Sequence, residues 1–538
     1  MARFKLPVIY DEASRQRNTV FAASEVGITN GLIREYNGKK LSARFGCFES
    51  NTQSTDVVLI GVSTFDADNA YIVVGYQIST TSIKVYRVSS GINGTWTTLG
   101  TLTTGVTASR ADIVPINSAA GLANDKDYFI KLNNPNPTTN RAWVLSAAGV
   151  LTAVADPDYP ATFTAMSAFG AAYKDRYMFV LGVTSTGAGG KVAIYNSALD
   201  SVTSWGALDY VIPELNGGSS LGLTVYKDHV VFFGTRNIVF FYNTGAATGS
   251  PLAPRRDLVF NYGLAASPLF GAKSWWKSTS GDTLAIVGQS DESRQFVGLF
   301  DGFGVRKIST PIIDALLTSY SYFSLSGYTY AGRTYIHLSL GASALSCSAG
   351  YYYDVEDGVW FRFSSVMPAL QNSFLSDTVY SPQQENWTVF LTHAVASSPT
   401  SGTGRLMRAE DRDGGHYDTS RSGTEYAISL SLIFPRWRGE EGQESRRKFL
   451  SKLNLICNTI TTPNTHDTGV GADQAAYLSY SDDDYATFST PRSVDLTKSL
   501  KQLTRLGTFR ERAFKLTLNT TQTVLLESIE GEYTIGTN

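Results

Sequence analysis

Residues 284–311 read LAIVGQSDESRQFVGLFDGFGVRKISTP, residues 328–340 read YTYAGRTYIHLSL, and residues 351–365 read YYYDVEDGVWFRFSS. Each stretch consists of short apolar or alternating runs punctuated by Gly and Asp. Asp301-Gly302 and Asp357-Gly358 are tight-turn dipeptides, because glycine reaches backbone angles that a Cβ penalises. The Val, Ile, Tyr and Phe around them fit a pleated surface. Strand–turn–strand units of this kind, repeated, predict blades of a β-propeller. The stretch specifies a scaffold and no catalytic site.

The same pattern extends upstream. VVLIGV, AYIVVGYQI and SIKVYRV precede an Asn93-Gly94 turn, and TWTTLG closes a first unit. Asp127–Ile130 and Arg141–Leu145 give weaker strands on either side of NNPNPTTN. YKDRYMFVLGV and KVAIYNSALDSVTSWGAL form a third unit, and LGLTVYKDHVVFFGTRNIVFFYNTG a fourth. Downstream of the opening stretch, NWTVFLTHAV to RLMRAEDRDGG supplies a last, weaker unit. Comparable strands recur at roughly 45–55 residues, the length of four short strands with their turns. One such sheet cannot cover both its faces, so neighbours must stack around an axis. Residues 56–415 are therefore expected to form a six- or seven-bladed propeller.

Composition changes on both flanks. Residues 416–538 carry alternating strands such as TEYAISLSLIF and RAFKLTLN, and predict a separate antiparallel β-sandwich or platform. Residues 1–55 predict strands and an arm that join this platform. In that arm Arg3, Lys5, Arg15, Arg17, Arg34, Lys39, Lys40 and Arg44 outnumber Asp11, Glu12, Glu25 and Glu35. The fold class is all-β, with PIIDALL (311–317) as one short helical segment opened by proline.

The bulk numbers narrow the function. Charged residues make up only 17% of the chain and the net charge is −2, which excludes a chain-wide nucleic-acid footprint. Cys47, Cys347 and Cys457 are too few and too scattered for a disulfide framework or a zinc site, and are expected as small apolar residues. The amino terminus turns charged too early for a signal peptide, and no apolar run approaches about 18 residues. The expectation is a protein made without export that reaches its place by assembly.

Candidate chemistry is sparse. None of the five histidines, His229, His337, His393, His416 and His466, has metal-binding spacing, and His229 and His337 fall in strands. GAGGK (187–191) lacks the first Gly and the Ser/Thr of a phosphate loop. Asp482, Asp483 and Asp484 could offer oxygen ligands to calcium, but they fit better as a hairpin bend that caps backbone amides. Asp411, Asp413 and Gly414 pose the same choice. No catalytic, metal or cofactor residue is assigned. A glycoside hydrolase would need paired carboxylates across a pocket, and Asp301 and Asp357 are instead explained by their turns. More informative is RLGTFRERAFKL, whose Arg505, Arg510, Arg512 and Lys515 lie on or beside a strand. Arg510 and Arg512 share a face by the two-residue period. These four form a basic patch for a channel or interface, unless Glu511, Glu527 or Glu530 pairs with them.

Four stretches resemble one known family: VYKDHVVFFGTRNIVFFYNTG (225–245), VGLFDGFGVRKISTPIIDALL (297–317), YYYDVEDGVWFRFS (351–364) and LGTFRERAFKLTLNTTQTVLLESIEGEY (506–533). They are similar to the tail hub, or nozzle, proteins of short-tailed bacteriophages, the P22-like packaged-DNA stabilisation proteins. The chain departs from the family at Asn237–Phe240, where an acidic, Trp-like stretch is usual. The resemblance implies a non-enzymatic virion component, assembled in the host cytoplasm as a homo-hexameric ring beneath the portal and adaptor. Such a ring would extend the channel, retain packaged DNA, guide its ejection, and dock tail fibres or spikes and a central plug. A receptor- or glycan-binding propeller is the alternative, followed by a propeller glycoside hydrolase.

Overall fold

The computed structural model describes residues 2–9 and 27–536 apart from short segments, the longest being 50–55, 118–125, 134–141, 161–169, 185–190, 214–219, 394–401, 411–416 and 462–472. The chain is an all-β protein built on a β-propeller, with one α-helix among the described residues. It divides into two compact units. One comprises Glu49–Ser348 and Asn372–Arg408; the other comprises Met1–Phe48, Ala349–Gln371 and Ala409–Asn538.

The first unit holds five antiparallel meander sheets. They begin with the strands Asp56–Phe65, Arg110–Asn117, Ala171–Lys174, Ser220–Tyr226 and Gly263–Leu264. Two further hairpins follow, Tyr322–Tyr330 with Arg333–Gly341 and Phe374–Ser381 with Trp387–His393. The leading strands adjoin in succession: Asp56–Phe65 lies beside Arg110–Asn117, which lies beside Ala171–Lys174, which lies beside Ser220–Tyr226. Trp275–Lys277 of the fifth sheet adjoins Tyr322–Tyr330, and Phe374–Ser381 returns to Asp56–Phe65. Among the described residues, seven radial elements thus close a ring. The short strand Gly402–Thr403 seals it, pairing in parallel with Asp56 and Val57.

Strand periodicity explains why these sheets stack. In the first sheet Val58, Ile60, Ile72 and Val74 pack with Tyr128 and Ile130 of the second. Their sequence neighbours Val57, Leu59, Tyr71 and Val73 face the other way, toward Leu406. The third sheet repeats the division: Met178 and Val180 join Phe129 of the second sheet, while Phe179 and Leu181 join Phe232 of the fourth. Continuous runs such as VVLIGV and YMFVLGV are two alternating faces, both buried. Fully burying one such side chain is worth about 1.5–3 kcal/mol, so every blade depends on both neighbours. Aromatic rings fill the wedge between the fourth and fifth sheets, where Phe300 lies 5.8 Å from Phe240 and 5.9 Å from Phe260.

Most described strands of the second unit fall in two sheets. In one, the strand Leu526–Ile535 pairs with Lys448–Cys457 on one side and with the amino-terminal strand Ala2–Pro7 on the other. The other sheet includes Ser429–Ile433, Ala513–Asn519 and Ala475–Ser481. Phe4 bridges the two, stacked 4.1 Å from Trp437 and 6.3 Å from Phe514. The hairpin that carries YYYDVEDGVWFRFS was expected inside a continuous propeller, 56–415, but it belongs to this unit. Here Val359–Phe363 pairs in parallel with Ile28–Thr29, and the Tyr352 hydroxyl donates to the Gly31 carbonyl.

The helix Pro311–Ser319 exceeds the one or two turns expected for PIIDALL. Thr310 caps it, its side chain accepting from the Ile313 amide, and Ile313, Leu316 and Leu317 are buried.

Near the propeller axis the strands approach too closely for most side chains. A Cβ on Gly61 would stand 2.6 Å from the Ala111 carbonyl oxygen, and one on Gly170 would stand 2.3 Å from the Leu223 amide. Backbone cannot step aside as a flexible side chain can. Gly61→Ala and Gly170→Ala are each expected to lower stability by about 1–3 kcal/mol. Gly304→Ala, where a Cβ meets only the Asp301 carbonyl at 3.8 Å, should change it little. Urea unfolding midpoints of the three variants test the contrast.

Candidate functional site: the propeller axis and the basic segment

The leading strands of the first four sheets and the segment 273–277 of the fifth line a cavity of about 300 Å³ at the axis. Its walls carry Asp112, Lys273, Trp275 and Lys277 among apolar residues. Lys273, Trp275 and Lys277 alternate along one short segment, so the two-residue period sends them to one side. The Lys273 ammonium lies 5.7 Å from the Trp275 ring centroid.

Asp112 is held by a cross-strand network. Register places Arg110 opposite Asn133 and Asp112 opposite Lys131. Arg110 donates to Asp112 Oδ1 through Nε at 3.0 Å and through its terminal nitrogen at 2.9 Å. Asn133 Nδ2 donates to Oδ2 at 2.7 Å, and Lys131 Nζ donates to Asn133 Oδ1 at 2.8 Å. All four side chains are buried. Burial alone would raise the Asp112 pKa, but Arg110, then Lys273, Asn133 and Lys131 outweigh it and hold the carboxyl below its ordinary range. Burial, with repulsion from Arg110, brings Lys131 down to about 8 despite the attraction of Asp112. Burial also lowers Lys277. Three cations, Arg110, Lys273 and Lys131, therefore act on this carboxylate.

Sequence reasoning missed this site. The strand Arg110–Asn117 was not predicted, and Lys131 lies just past the weak strand expected over Asp127–Ile130. The available signal was charge inside apolar strands: RAD at 110–112 and KLN at 131–133 space their polar groups by two, and KSWWK at 273–277 spaces its lysines by four.

The four predicted basic residues do not form one patch. Strand Thr508–Phe509 ends before Arg510, and the next strand begins at Ala513, so Arg510 and Arg512 do not share a strand face. Arg505 and Arg510 are exposed and Lys515 is half-buried, whereas Arg512 is only 1% exposed. Arg512 grips Asp482 with two hydrogen bonds of 2.7 Å. Its guanidinium carbon also lies 3.8 Å from the Tyr480 ring centroid and 4.2 Å from that of Phe509. Asp482 is thus the partner, in place of the three glutamates considered. Glu511 pairs with Arg436 and Arg438, and Glu527 with Lys5 and Lys40.

The basic arm is similarly committed. Arg3 pairs with Glu532 at 3.1 Å, Lys39 with Asp357, and buried Arg44 with Asp418 at 2.7 Å. Arg15 and Arg17 lie outside the described residues. Beside Arg44, burial pushes the Cys47 thiol up to about 12. Cys347 and Cys457 are only half-buried.

The turn residues sit as follows. Asp301-Gly302 turns the hairpin in which Asp301 pairs with Gly304, with Gly302 at φ +65°. Gly358, at φ +70°, follows Asp357 in the turn capped by Asp354. In the acidic bend each carboxylate has a local task. Asp482 holds Arg512, Asp484 meets Arg436 at 3.0 Å, and Asp483 accepts from Ser481 Oγ at 2.7 Å and the Thr487 amide at 2.9 Å. His229 lies in its strand 3.2 Å from Arg255, and His337 is buried in another. The side chain of His393, together with His416, His466, Gly187–Gly190, Asp411, Asp413, Gly414 and the Asn93-Gly94 turn, lies outside the described residues.

Residues 140–363 match a family model described as Bacteriophage P22 Gp10, beta-propeller. Over that segment the match supports a phage structural protein of the DNA-stabilisation family. No curated protein matches the sequence. The crystal structure of puromycin hydrolase is similar at 11% identity over 73% of this chain, with a TM-score of 0.33. The chain covers 57% of that protein's length, and a likeness this low carries no argument.

Arg512→Ala is expected to lower stability by about 2–4 kcal/mol, because it strips Asp482 of its partner and opens the slot between Tyr480 and Phe509. Arg512→Lys should recover little, since an ammonium cannot make the bidentate fork. Arg510→Gln should leave the unfolding midpoint unchanged. Lys131 predicts a pH dependence. Its folded value is about 8 against an ordinary 10.5, so between them the unfolded chain binds more protons and stability rises with pH. Lys131→Met should remove that part of the rise, which is measurable as the difference between the two proteins' unfolding midpoints from pH 7 to 10.

Proposed function

We propose that the chain is a structural component of a short phage tail, a hub or nozzle that extends the portal–adaptor channel, retains packaged DNA and guides its ejection. The observation that carries this reading is the match of residues 140–363 to the phage propeller family. The copies form a homo-hexameric ring through one heterologous contact repeated around its axis. Tail fibres or spikes dock on its faces, and the virion is its location.

The narrow propeller axis supports a DNA path outside it. The axial cavity has the volume of a small-ligand site, and its strands close to the Gly61–Ala111 contact. A duplex cannot use the propeller axis, so its passage lies between copies. Exposed Arg505 and Arg510 can offer weak, non-specific phosphate contacts there, while buried Arg512 supports their segment. Weak contact suits the task, because tight phosphate binding would impede ejection. The glycoside-hydrolase alternative asks for two carboxylates across a pocket. Among the described lining residues of the axial cavity, Asp112 is the one carboxylate, and it is bound to Arg110.

Light scattering and negative-stain imaging of the purified chain, alone and mixed with a portal–adaptor complex, test the proposal. The expected result is a ring with an open axial channel seated on the adaptor, formed alone or only in the mixture. A monomer in both samples overturns it.

A further inference from the structure

Two exposed apolar side chains of this chain stand in surroundings of opposite charge. The first is Phe449, in the strand Lys448–Cys457, which is 46% exposed. Register sets it between Thr508 and Thr534, both exposed and too short to cover its ring. Lys448 points the other way and is fully buried, its Nζ donating to the carbonyls of Gln443 at 2.9 Å, Arg446 at 3.1 Å and Arg510 at 2.8 Å. The Gly536 amide donates to the Arg447 carbonyl at 2.8 Å. These bonds fix the backbone of Arg446 and Arg447 beside Phe449. Both arginine side chains are exposed and, among the described residues, form no ion pair. An aromatic ring beside arginines suits a protein interface, whereas a phosphate backbone offers a phenyl ring nothing apolar to meet.

The second is Leu208, on the third propeller sheet. In the edge strand Ser201–Val211, Tyr210 pairs with Tyr195 and Trp205 with Ser197, so residues 206–209 bulge opposite Asn196 alone. Leu208 on this bulge is 79% exposed. The Asp156 carboxylate accepts from the Asp158 amide at 2.9 Å and from the Trp205 amide at 3.0 Å, which brings Asp158 beside the bulge. Asp200 of the same sheet is taken by Arg176, but Asp158 and Asp209 form no ion pair among the described residues. The sequence has no Lys or Arg between Arg141 and Lys174, nor between Lys191 and Lys227. Leu208 is therefore an apolar knob in acidic surroundings.

We propose that Phe449, with Arg446 and Arg447, docks on the Leu208 bulge, with Asp158 and Asp209, of a second copy of this chain. The inference rests on the ring reading above and names the two faces that meet. A head-to-tail ring needs two unlike, complementary surfaces on every copy, and these two match in sign and in exposed apolar content. The contact covers both exposed apolar groups and protects the open edge of the third sheet from other pairing.

The test uses the full chain with the portal–adaptor complex. Phe449→Cys and Leu208→Cys proteins are mixed, assembled and oxidised, and the disulfides are mapped by mass spectrometry. The expected result is a mixed disulfide between the two variants. Phe449→Ala should weaken assembly about 10-fold or more, as truncation of an interface anchor does, and leave the urea midpoint of the unassembled chain near that of the parent. Arg447→Glu and Asp209→Lys should each weaken assembly, and the double variant should restore it. A ring that forms without the mixed disulfide, or with Phe449→Cys linked to its own kind, overturns the proposal and leaves the hub reading standing. So does undiminished assembly of Phe449→Ala. A chain that stays monomeric with the adaptor overturns both. Protection of Phe449→Cys from alkylation by duplex DNA, with no mixed disulfide, would assign this face to nucleic acid and overturn the proposal.

Discussion

Closure of the ring is the constraint on which the propeller depends. A blade of this chain is apolar on both faces, as the division of Val57 and Val58 between opposite clusters shows. Such a sheet is stable only between two others, and the first and last are no exception. The strand Gly402–Thr403 meets that requirement by pairing with Asp56 and Val57, so the end of the propeller segment is tied to its beginning. The arrangement also leaves the sheet edges that could invite further pairing short and protected.

The price of closure is crowding at the axis. Gly61 and Gly170 are there because neighbouring backbone occupies the space of a Cβ. Where crowding relaxes, the lining is polar, with Asp112 flanked by cations on two sheets. The second unit handles charge differently. Arg44 and Asp418, and Arg512 and Asp482, are matched pairs whose hydrogen bonds are bidentate or shared with nearby backbone. Matched burial of this kind anchors strands.

Much of the blade pattern was legible in the chain. Apolar runs bounded by Gly and Asp marked the strands of the first, third and fourth sheets, because local β-propensity and turn chemistry agree there. The strand RADIVPIN was overlooked because it begins with two charges and contains a proline, features that lower its local signal. Its polar start makes sense only beside Lys131 and Asn133, which face it across the ladder. The hairpin YYYDVEDGVWFRFS was legible as a hairpin but not as part of the second unit. That depends on Ile28–Thr29, more than three hundred residues earlier in the chain.

The sequence by itself determined an all-β chain of repeated meanders, a propeller as the arrangement that buries two-faced sheets, and a change of character near either end. These follow from period-two alternation and turn residues, which act over a few positions. Tertiary structure decided the count of seven radial elements, the burial of Arg512 between Tyr480 and Phe509, and the gathering of Asp112, Lys273 and Lys277 around one cavity. Each of these joins residues distant in the chain. Whether a charge meets water, a partner or an empty volume is set by what the closed ring brings beside it.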